Sequence, residues 1–388
     1  MARICFVTTT RADWGLLAPL ARELRRREHT VLVAASNMHL DPAFGATASE
    51  IEADGFAVDA AVPLCAGDSP AQRAVAAGEC TSGMARAFAR LRPDIVVALG
   101  DRYEMLGAVT AAAVSRIPVV HIAGGEISEG AQDDSFRHAI TKLSDLHLTA
   151  TPEYAARVVQ LGEDPDSVVY TGAIGVYNFL QLKPVADPEL EDYLGYRFDA
   201  SRPLAVVTYH PATMEDDVPH ARRTEQLLAA LDAVPGLDVV ITYPNNDAGG
   251  AAAIPVLERW AAANSSRARI FPSLGARRYL SLLRHAAVVV GNSSSGIVEV
   301  PSAGIPTVDI GIRQRGRAAA DSVIHCGTSA DDIAAAIRRA LTPDFATFCR
   351  TVANPYYREG TLAIMADAIE RFLQRPRHPK KFYNIPPS

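Results

Sequence analysis

The hydrophobic positions of this chain fall into two textures. Short runs of aliphatic and β-branched residues, at 4–7, 31–35, 95–99, 119–122, 146–150 and 168–171, are separated by longer stretches with apolar residues at helical spacing. A short uninterrupted run is what a strand buried on both faces requires, so the alternation predicts a parallel sheet flanked by helices. The Ala-rich run 107–114 is predicted to be helical and to stop ahead of Pro118, whose ring disfavours helix in the residue before it. After a stretch rich in Pro and acidic residues, a second series follows at 204–208, 239–242, 269–271, 287–290 and 307–310, which predicts a second such sheet and a boundary near 175–203. Helical spacing returns at 362–373, and the basic, Pro-rich tail 375–388 is expected to be loosely ordered. The expected division is a first Rossmann-like domain at 1–175, a second at 176–361, and a helix at 362–388 that crosses back and carries the tail. Ligands of open parallel sheets lie beyond the carboxyl ends of the strands, so the expected site is a cleft between the two domains.

Composition narrows the partners. A chain of 388 residues exceeds what one core usually supports, in keeping with two domains. With 48% hydrophobic residues, 21% charged residues and a net charge of −6, it lacks the basic excess that nucleic-acid binding needs. No stretch reaches the roughly 18 apolar residues of a membrane span, and the run 4–7 is followed at once by Arg11 and Asp13 rather than by a signal-peptide core. The expectation is a cytoplasmic protein without a membrane partner. Five cysteines, odd in number and without CxxC spacing, fit reduced thiols better than a disulfide frame or a zinc site.

Candidate chemistry sits at the predicted strand ends. Gly291-Asn292-Ser293-Ser294-Ser295-Gly296-Ile297 reads as strand, turn and helix start, where backbone N–H groups would face an anion. Thr8-Thr9-Thr10-Arg11-Ala12-Asp13 repeats that construction at the first strand, so a phosphate-bearing ligand is the first suspect. Serines at such a turn bind phosphate more simply than they act as nucleophiles, since no GxSxG elbow is present. The absence of GxGxxG and GxxxxGK[ST] withdraws support from a nicotinamide cofactor or triphosphate hydrolysis.

Asp101 and Arg102 follow the run 95–99, Glu126 follows His121-Ile122-Ala123-Gly124-Gly125, and Asp133 and Asp134 open a predicted helix carrying Arg137 and His138. An Asp before a helix is ordinarily a cap, and that reading suits Asp133; carboxylates at successive strand ends make acid–base chemistry the sharper reading of the others. The paired glycines would let backbone approach a ligand, and Arg137 and His138 would orient the acids. His210 ends the first strand of the second domain, and an imidazole there titrates near neutral pH. Tyr243-Pro244-Asn245-Asn246-Asp247 could meet a ribose or uracil, though a Pro/Asn turn needs no function. Glu299 is placed to accept from ribose hydroxyls, and Arg313, Arg315 and Arg317 supply cations beyond the run 307–310.

Together the strings TRADWG, GDRYEMLGA, HIAGGEISEGAQDDSFRHAITKLSDLHL, YPNNDAG, GNSSSGIVEVPSAGIPTVDIG and RQRGR resemble the hydrolysing UDP-N-acetylglucosamine 2-epimerases of sialic acid synthesis, from about Arg3 to about Arg371. The resemblance implies the GT-B fold, two Rossmann-like domains with an interdomain cleft. It also implies conversion of UDP-N-acetylglucosamine to N-acetylmannosamine and UDP without cofactor or metal, and a homodimer or homotetramer. It assigns acid–base work to Asp101, Glu126, Asp134 and His210. It assigns UDP contacts to Arg11, Arg102, Asn245, Tyr279, Ser293, Ser294, Glu299 and Arg313, and sugar contacts to His39 and Arg137. The match departs at Gly15, Ala123 and Tyr279, where Ser or Lys, His and Phe are common. Within the resemblance the alternative substrate is UDP-2,4-diacetamido-2,4,6-trideoxyglucose of the legionaminic acid pathway; a GT-B glycosyltransferase and a non-catalytic sensor are the rival classes.

Overall fold

Seven parallel strands build the first sheet: β1 (Arg3–Thr8), β2 (Thr30–Ser36), β3 (Ala60–Val62), β4 (Ile95–Leu99), β5 (Val119–Ile122), β6 (Leu146–Thr149) and β7 (Val168–Tyr170). Their order is β3-β2-β1-β4-β5-β6-β7. The second sheet has six, β8 (Leu204–Thr208), β9 (Asp238–Thr242), β10 (Ala268–Phe271), β11 (Val288–Gly291), β12 (Thr307–Ile310) and β13 (Val323–Cys326), in the order β10-β9-β8-β11-β12-β13. Both are doubly wound, and each reverses direction beside its first strand, between β1 and β4 and between β8 and β11. Those are the switch points at which such sheets bind ligands. The computed structural model describes the chain apart from residues 41–46, 66, 68, 130–131, 213–217, 246–248, 377–378 and 386–388, and apart from the side chains of 11, 12 and 38.

Two units divide the chain: Met1–Glu126, Asp133–Asn178 and Arg358–Ser388 form the first, Ile127–Gln132 and Phe179–Tyr357 the second. Each sheet is covered on both faces, which is why its strands carry no polar alternation. Ile4 and Phe6 of β1 pack with Leu17, Leu20, Leu24, Met365 and Ile369, while Cys5 and Val7 pack with Met84, Phe88, Ala108 and Val109. The helix Thr361–Gln374 supplies Met365 and Ile369 and so belongs to the first core. In the second unit, Ala205 and Val207 pack with Leu227, Leu231 and Ile337, and Leu204 and Val206 with Leu190 and Leu282.

Three sequence expectations are corrected. Strands β3 and β13 were not anticipated: β3 has three residues, two of them alanine, at one sheet edge, and β13 at another edge exposes His325. The helix expected at 107–114 runs over Tyr103–Val114. The tail is fastened rather than loose. Lys380 donates to the carbonyls of Lys142 and Ser144 at 2.7 and 2.6 Å and pairs with Glu163 at 2.7 Å, and the Tyr383 N–H donates to the Gly162 carbonyl at 2.9 Å. No helix among the described residues is long and apolar enough to cross a membrane.

Candidate active site

In the first unit the chain leaves β4 through Gly100, at φ +81°, and presents Asp101. Arg137, one turn into the helix Asp133–Leu143, forms an ion pair with Asp101 through Nη2, and its Nη1 donates to Asp134 Oδ1 at 3.1 Å and to the Glu126 carbonyl at 3.0 Å. The guanidinium is 1% exposed, whereas Asp101 and Asp134 are 25% and 28% exposed. A buried cation is tolerated only when paired, and the rigid guanidinium fork reaches several acceptors at once. The structure therefore gathers three of the residues expected at the site around one side chain. Arg137, expected to orient the acids and to meet the sugar, is buried and holds the acids. Asp133 is the first residue of the helix, and Asp134 also approaches His138 Nε2 at 3.4 Å.

Beneath this set lies His121, fully buried, whose imidazole is pushed down to about 3 chiefly by that burial. The Gly100 carbonyl, 2.8 Å from Nε2, can only accept, so Nε2 carries the hydrogen. Nδ1 lies 3.1 Å from the Thr141 hydroxyl, which in turn is 3.0 Å from the Arg137 carbonyl. His121 thus joins the residue before Asp101 to the turn holding Arg137. The glycines after it answer to this packing: a Cβ on Gly124 would meet His121 Nδ1 at 2.9 Å, and one on Gly125 the Tyr154 carbonyl.

The turn after β1 is also occupied from within. Asp13 Oδ2 accepts from the Thr9 and Thr10 N–H groups, each at 2.9 Å, and from the Thr9 hydroxyl at 2.7 Å, a capping box that takes donors expected to face an anion. His39, expected to touch the sugar, is fully buried, with Nε2 2.9 Å from the Thr8 hydroxyl and Nδ1 3.0 Å from that of Thr47. Arg102 donates through Nε and Nη2 to the two oxygens of Glu104 at 3.2 and 3.1 Å, and Asn37 donates to the same carboxylate. Glu104 is fully buried, so it offsets much of the charge that Arg102 would offer a diphosphate. The Arg11 side chain lies outside the described residues.

The second unit builds its own constellation where β8 and β11 end. His210 N–H donates to Asn292 Oδ1 at 2.7 Å, and Asn292 Nδ2 donates to the His210 carbonyl at 2.9 Å. The Asn245 N–H donates to His210 Nδ1 at 3.0 Å, which leaves the ring hydrogen on Nε2. Burial first, and the Arg313 charge second, hold this imidazole well below its usual value. Arg313 and Gln314, beyond β12, donate to the Asn292 carbonyl at 3.2 and 2.8 Å. The Ser-rich turn starts a helix of only five residues, Ser294–Val298, so it offers a turn of amides and little macrodipole. Ser293 stands at the N-cap, half-buried, with no hydroxyl bond to the helix, and Ser294 is exposed. Tyr279 bonds Ser295, and its phenol is raised to about 12 by burial, with the Glu299 carboxylate adding to that.

Glu104, His121, Asn292 and Gln314 are the residues that sequence reasoning passed over. His121 had a signal, a polar residue inside the buried run VVHI, and so had Asn292, the first residue beyond a strand end.

The two doubly wound sheets, with an arginine-centred carboxylate set in one and a histidine beside a cationic loop in the other, are those of a UDP-sugar 2-epimerase by the chain's similarity to known proteins. It belongs to the UDP-N-acetylglucosamine 2-epimerase family, whose profile matches residues 22–370. A hydrolysing GDP/UDP-N,N'-diacetylbacillosamine 2-epimerase of Campylobacter jejuni is 36% identical over 325 residues, 83% of each chain. A hydrolysing UDP-N,N'-diacetylbacillosamine 2-epimerase of Legionella pneumophila is 34% identical, covering 87% of this chain and 89% of its own. The fold matches a UDP-GlcNAc 2-epimerase of Neisseria meningitidis, solved with UDP-GlcNAc bound, with a TM-score of 0.80 at 16% identity, over 95% of this chain and 100% of that one.

Proposed function

We infer that the protein hydrolyses a UDP-2-acetamido sugar with inversion at carbon 2, releasing UDP and the free 2-epimer. The observation that carries this reading is the Arg137 set: a buried guanidinium gathers Asp101, Asp134 and the Glu126 main chain beyond the carboxyl ends of β4 and β5. In the proposed reaction a carboxylate of this set takes the carbon 2 proton while the bond from carbon 1 to the UDP oxygen breaks, leaving a 2-acetamidoglycal. Water then adds at carbon 1 and a proton returns to carbon 2 from the opposite face. Asp101, Glu126, Asp134 and His210 are assigned the acid–base work as a group, with Asp101 as a base, and the neutral His210 ring offers its Nε2–H to the substrate as a hydrogen bond.

Departure of a diphosphate calls for positive charge and N–H donors, worth about 3–4 kcal/mol for a well-placed donor. Arg313 and the amides near Ser293 and Ser294 are assigned that role, with Arg11 and Arg102; because Arg102 is tied to Glu104, Arg313 carries the larger share. Asn245, Tyr279 and Glu299 hold the nucleoside. Two sugars suit the reaction. UDP-N-acetylglucosamine is what the family resemblance implies, whereas the relatives at 36% and 34% identity favour UDP-N,N'-diacetylbacillosamine, the 4-acetamido, 6-deoxy sugar. A homodimer or homotetramer working in the cytoplasm completes the reading, and sedimentation of the purified chain tests its assembly.

The decisive experiment incubates the protein with each UDP-sugar in deuterated water and without an acceptor. UDP release with a free 2-epimer bearing one deuterium at carbon 2 is expected, and the faster of the two sugars is the substrate. Retention of the original hydrogen, or no UDP release until an acceptor is added, overturns the reading in favour of a glycosyltransferase.

A further inference from the structure

Strands β8 and β11 come unusually close at their carboxyl ends. Gly291 sits at φ +140°, and a Cβ there would lie 1.9 Å from the Thr208 carbonyl, so only glycine lets the two backbones meet. The Asn292 N–H then donates to that carbonyl at 3.2 Å, and its side chain, 2% exposed, turns toward the neighbouring strand end. There it does what a further strand residue would do: it accepts from the His210 N–H at 2.7 Å and donates to the His210 carbonyl at 2.9 Å. A reciprocal pair of bonds fixes the main chain of His210 and hence the direction of its Cα–Cβ bond. The ring is fixed at its other end by the Asn245 N–H.

We propose that Asn292 is a positioning residue for the reaction, acting through His210. The inference rests on the reading of His210 as a catalytic residue that meets the substrate through Nε2–H. The two halves of Asn292 do separate work: its side chain holds only His210 in these bonds, while its main-chain carbonyl holds Arg313 and Gln314 at 3.2 and 2.8 Å. A side-chain substitution therefore removes the grip on His210 and keeps the carbonyl that braces the cationic loop. Turnover and nucleotide affinity should part company, which a general loosening of the fold would not produce.

Asparagine is required by the pattern of one donor and one acceptor at this reach. Aspartate has the same shape and keeps the acceptor for the His210 N–H, but it sets a carboxylate oxygen against the His210 carbonyl. Alanine removes both bonds.

The test measures kcat for UDP release and the UDP dissociation constant for N292A, N292D, H210A and the double variant N292A/H210A, each checked for a cooperative thermal transition. A small misplacement of a catalytic group costs up to about a hundredfold, so kcat of N292A and N292D should fall roughly tenfold to a hundredfold, with UDP affinity within about threefold. Adding N292A to H210A should cost less than about threefold further, because the residue to be positioned is gone. N292D keeps the side-chain volume and reads out the same role if the alanine variant does not fold. Turnover within about twofold of the parent in N292D, or equal losses of kcat and UDP affinity, would overturn the proposal while leaving His210 its role. Normal turnover in H210A would overturn both.

Discussion

Arg137 and Asp101 are joined as an ion pair between a helix and a strand end, with the cation sealed at 1% exposure and the carboxylate left 25% exposed. The asymmetry puts the permanent charge inside and the chemically useful oxygen atoms within reach of solvent. Replacing Arg137 by Met leaves Asp101 and Asp134 without their common partner. Turnover is expected to fall by about two to three orders of magnitude, and Arg137→Lys, a point charge without the fork, should recover only part of it. UDP affinity should hold, since Arg137 itself is assigned no nucleotide contact. Near-parental kcat in Arg137→Met would remove the organising role.

His121 makes the first unit sensitive to mild acid. The unfolded imidazole takes up its proton near pH 6.5, whereas the folded one resists until about 3, so the unfolded chain binds more protons in between. Stability from this group is complete above pH 6.5 and drains away as pH falls toward 3. Between about pH 7 and about pH 5 the loss should be about 2 kcal/mol. His121→Gln has no proton to take up there, and should flatten the dependence by that amount. Denaturant titrations followed through Trp14 in a Trp260→Phe background report on this unit, and an unchanged pH slope in the Gln variant would contradict the account.

Glu163 holds down the tail. Its carboxylate, 2% exposed, meets Lys142 at 2.6 Å, Lys380 at 2.7 Å and His147 at 2.9 Å, and despite burial these partners draw it down to about 2. That contribution is present above the ordinary value of 4.5 and is lost as pH falls through about 2. Glu163→Gln keeps the shape and removes the charge. Because both lysines are about a third exposed, the expected loss is about 2 kcal/mol, below the 3–5 kcal/mol of a fully buried pair. A chain ending at 374 should show most of the same drop in thermal midpoint; equal midpoints for the parent and both variants would refute the latch.

Gly291→Ala forces a Cβ to within 1.9 Å of the Thr208 carbonyl at a φ of +140°. Neither strand can move without disturbing the ladder from β8 to β11, so a loss of about 3 kcal/mol or more is expected in the second unit. Trp260 fluorescence in a Trp14→Phe background should report it, and a midpoint unchanged from the parent would show that the strands can part.

The strand ends could be read in the sequence because the signal is local. A buried parallel strand is a short apolar run, and the first polar residues after it stand where ligands bind, which brought Asp101, Glu126 and His210 into view directly. Their partners could be read only in part: Arg137 could be seen as an orienter of the acids, but which acid it meets, and the Asn292 grip on His210, could not. Arg137 meets Asp101 from the helix after the next strand, and Asn292 meets His210 across a strand pairing, so both relations depend on sheet order. The same blindness explains the turn after β1: spacing showed donors at a helix start, but only geometry shows Asp13 already accepting from them. The edge strands β3 and β13 escaped notice because they are short and face fewer neighbours.

The bond from the Asn245 N–H to His210 Nδ1 makes the imidazole a one-ported device. With that lone pair committed, the hydrogen stands on Nε2, and the ring has a single polar atom left to offer a neighbour, always as a donor.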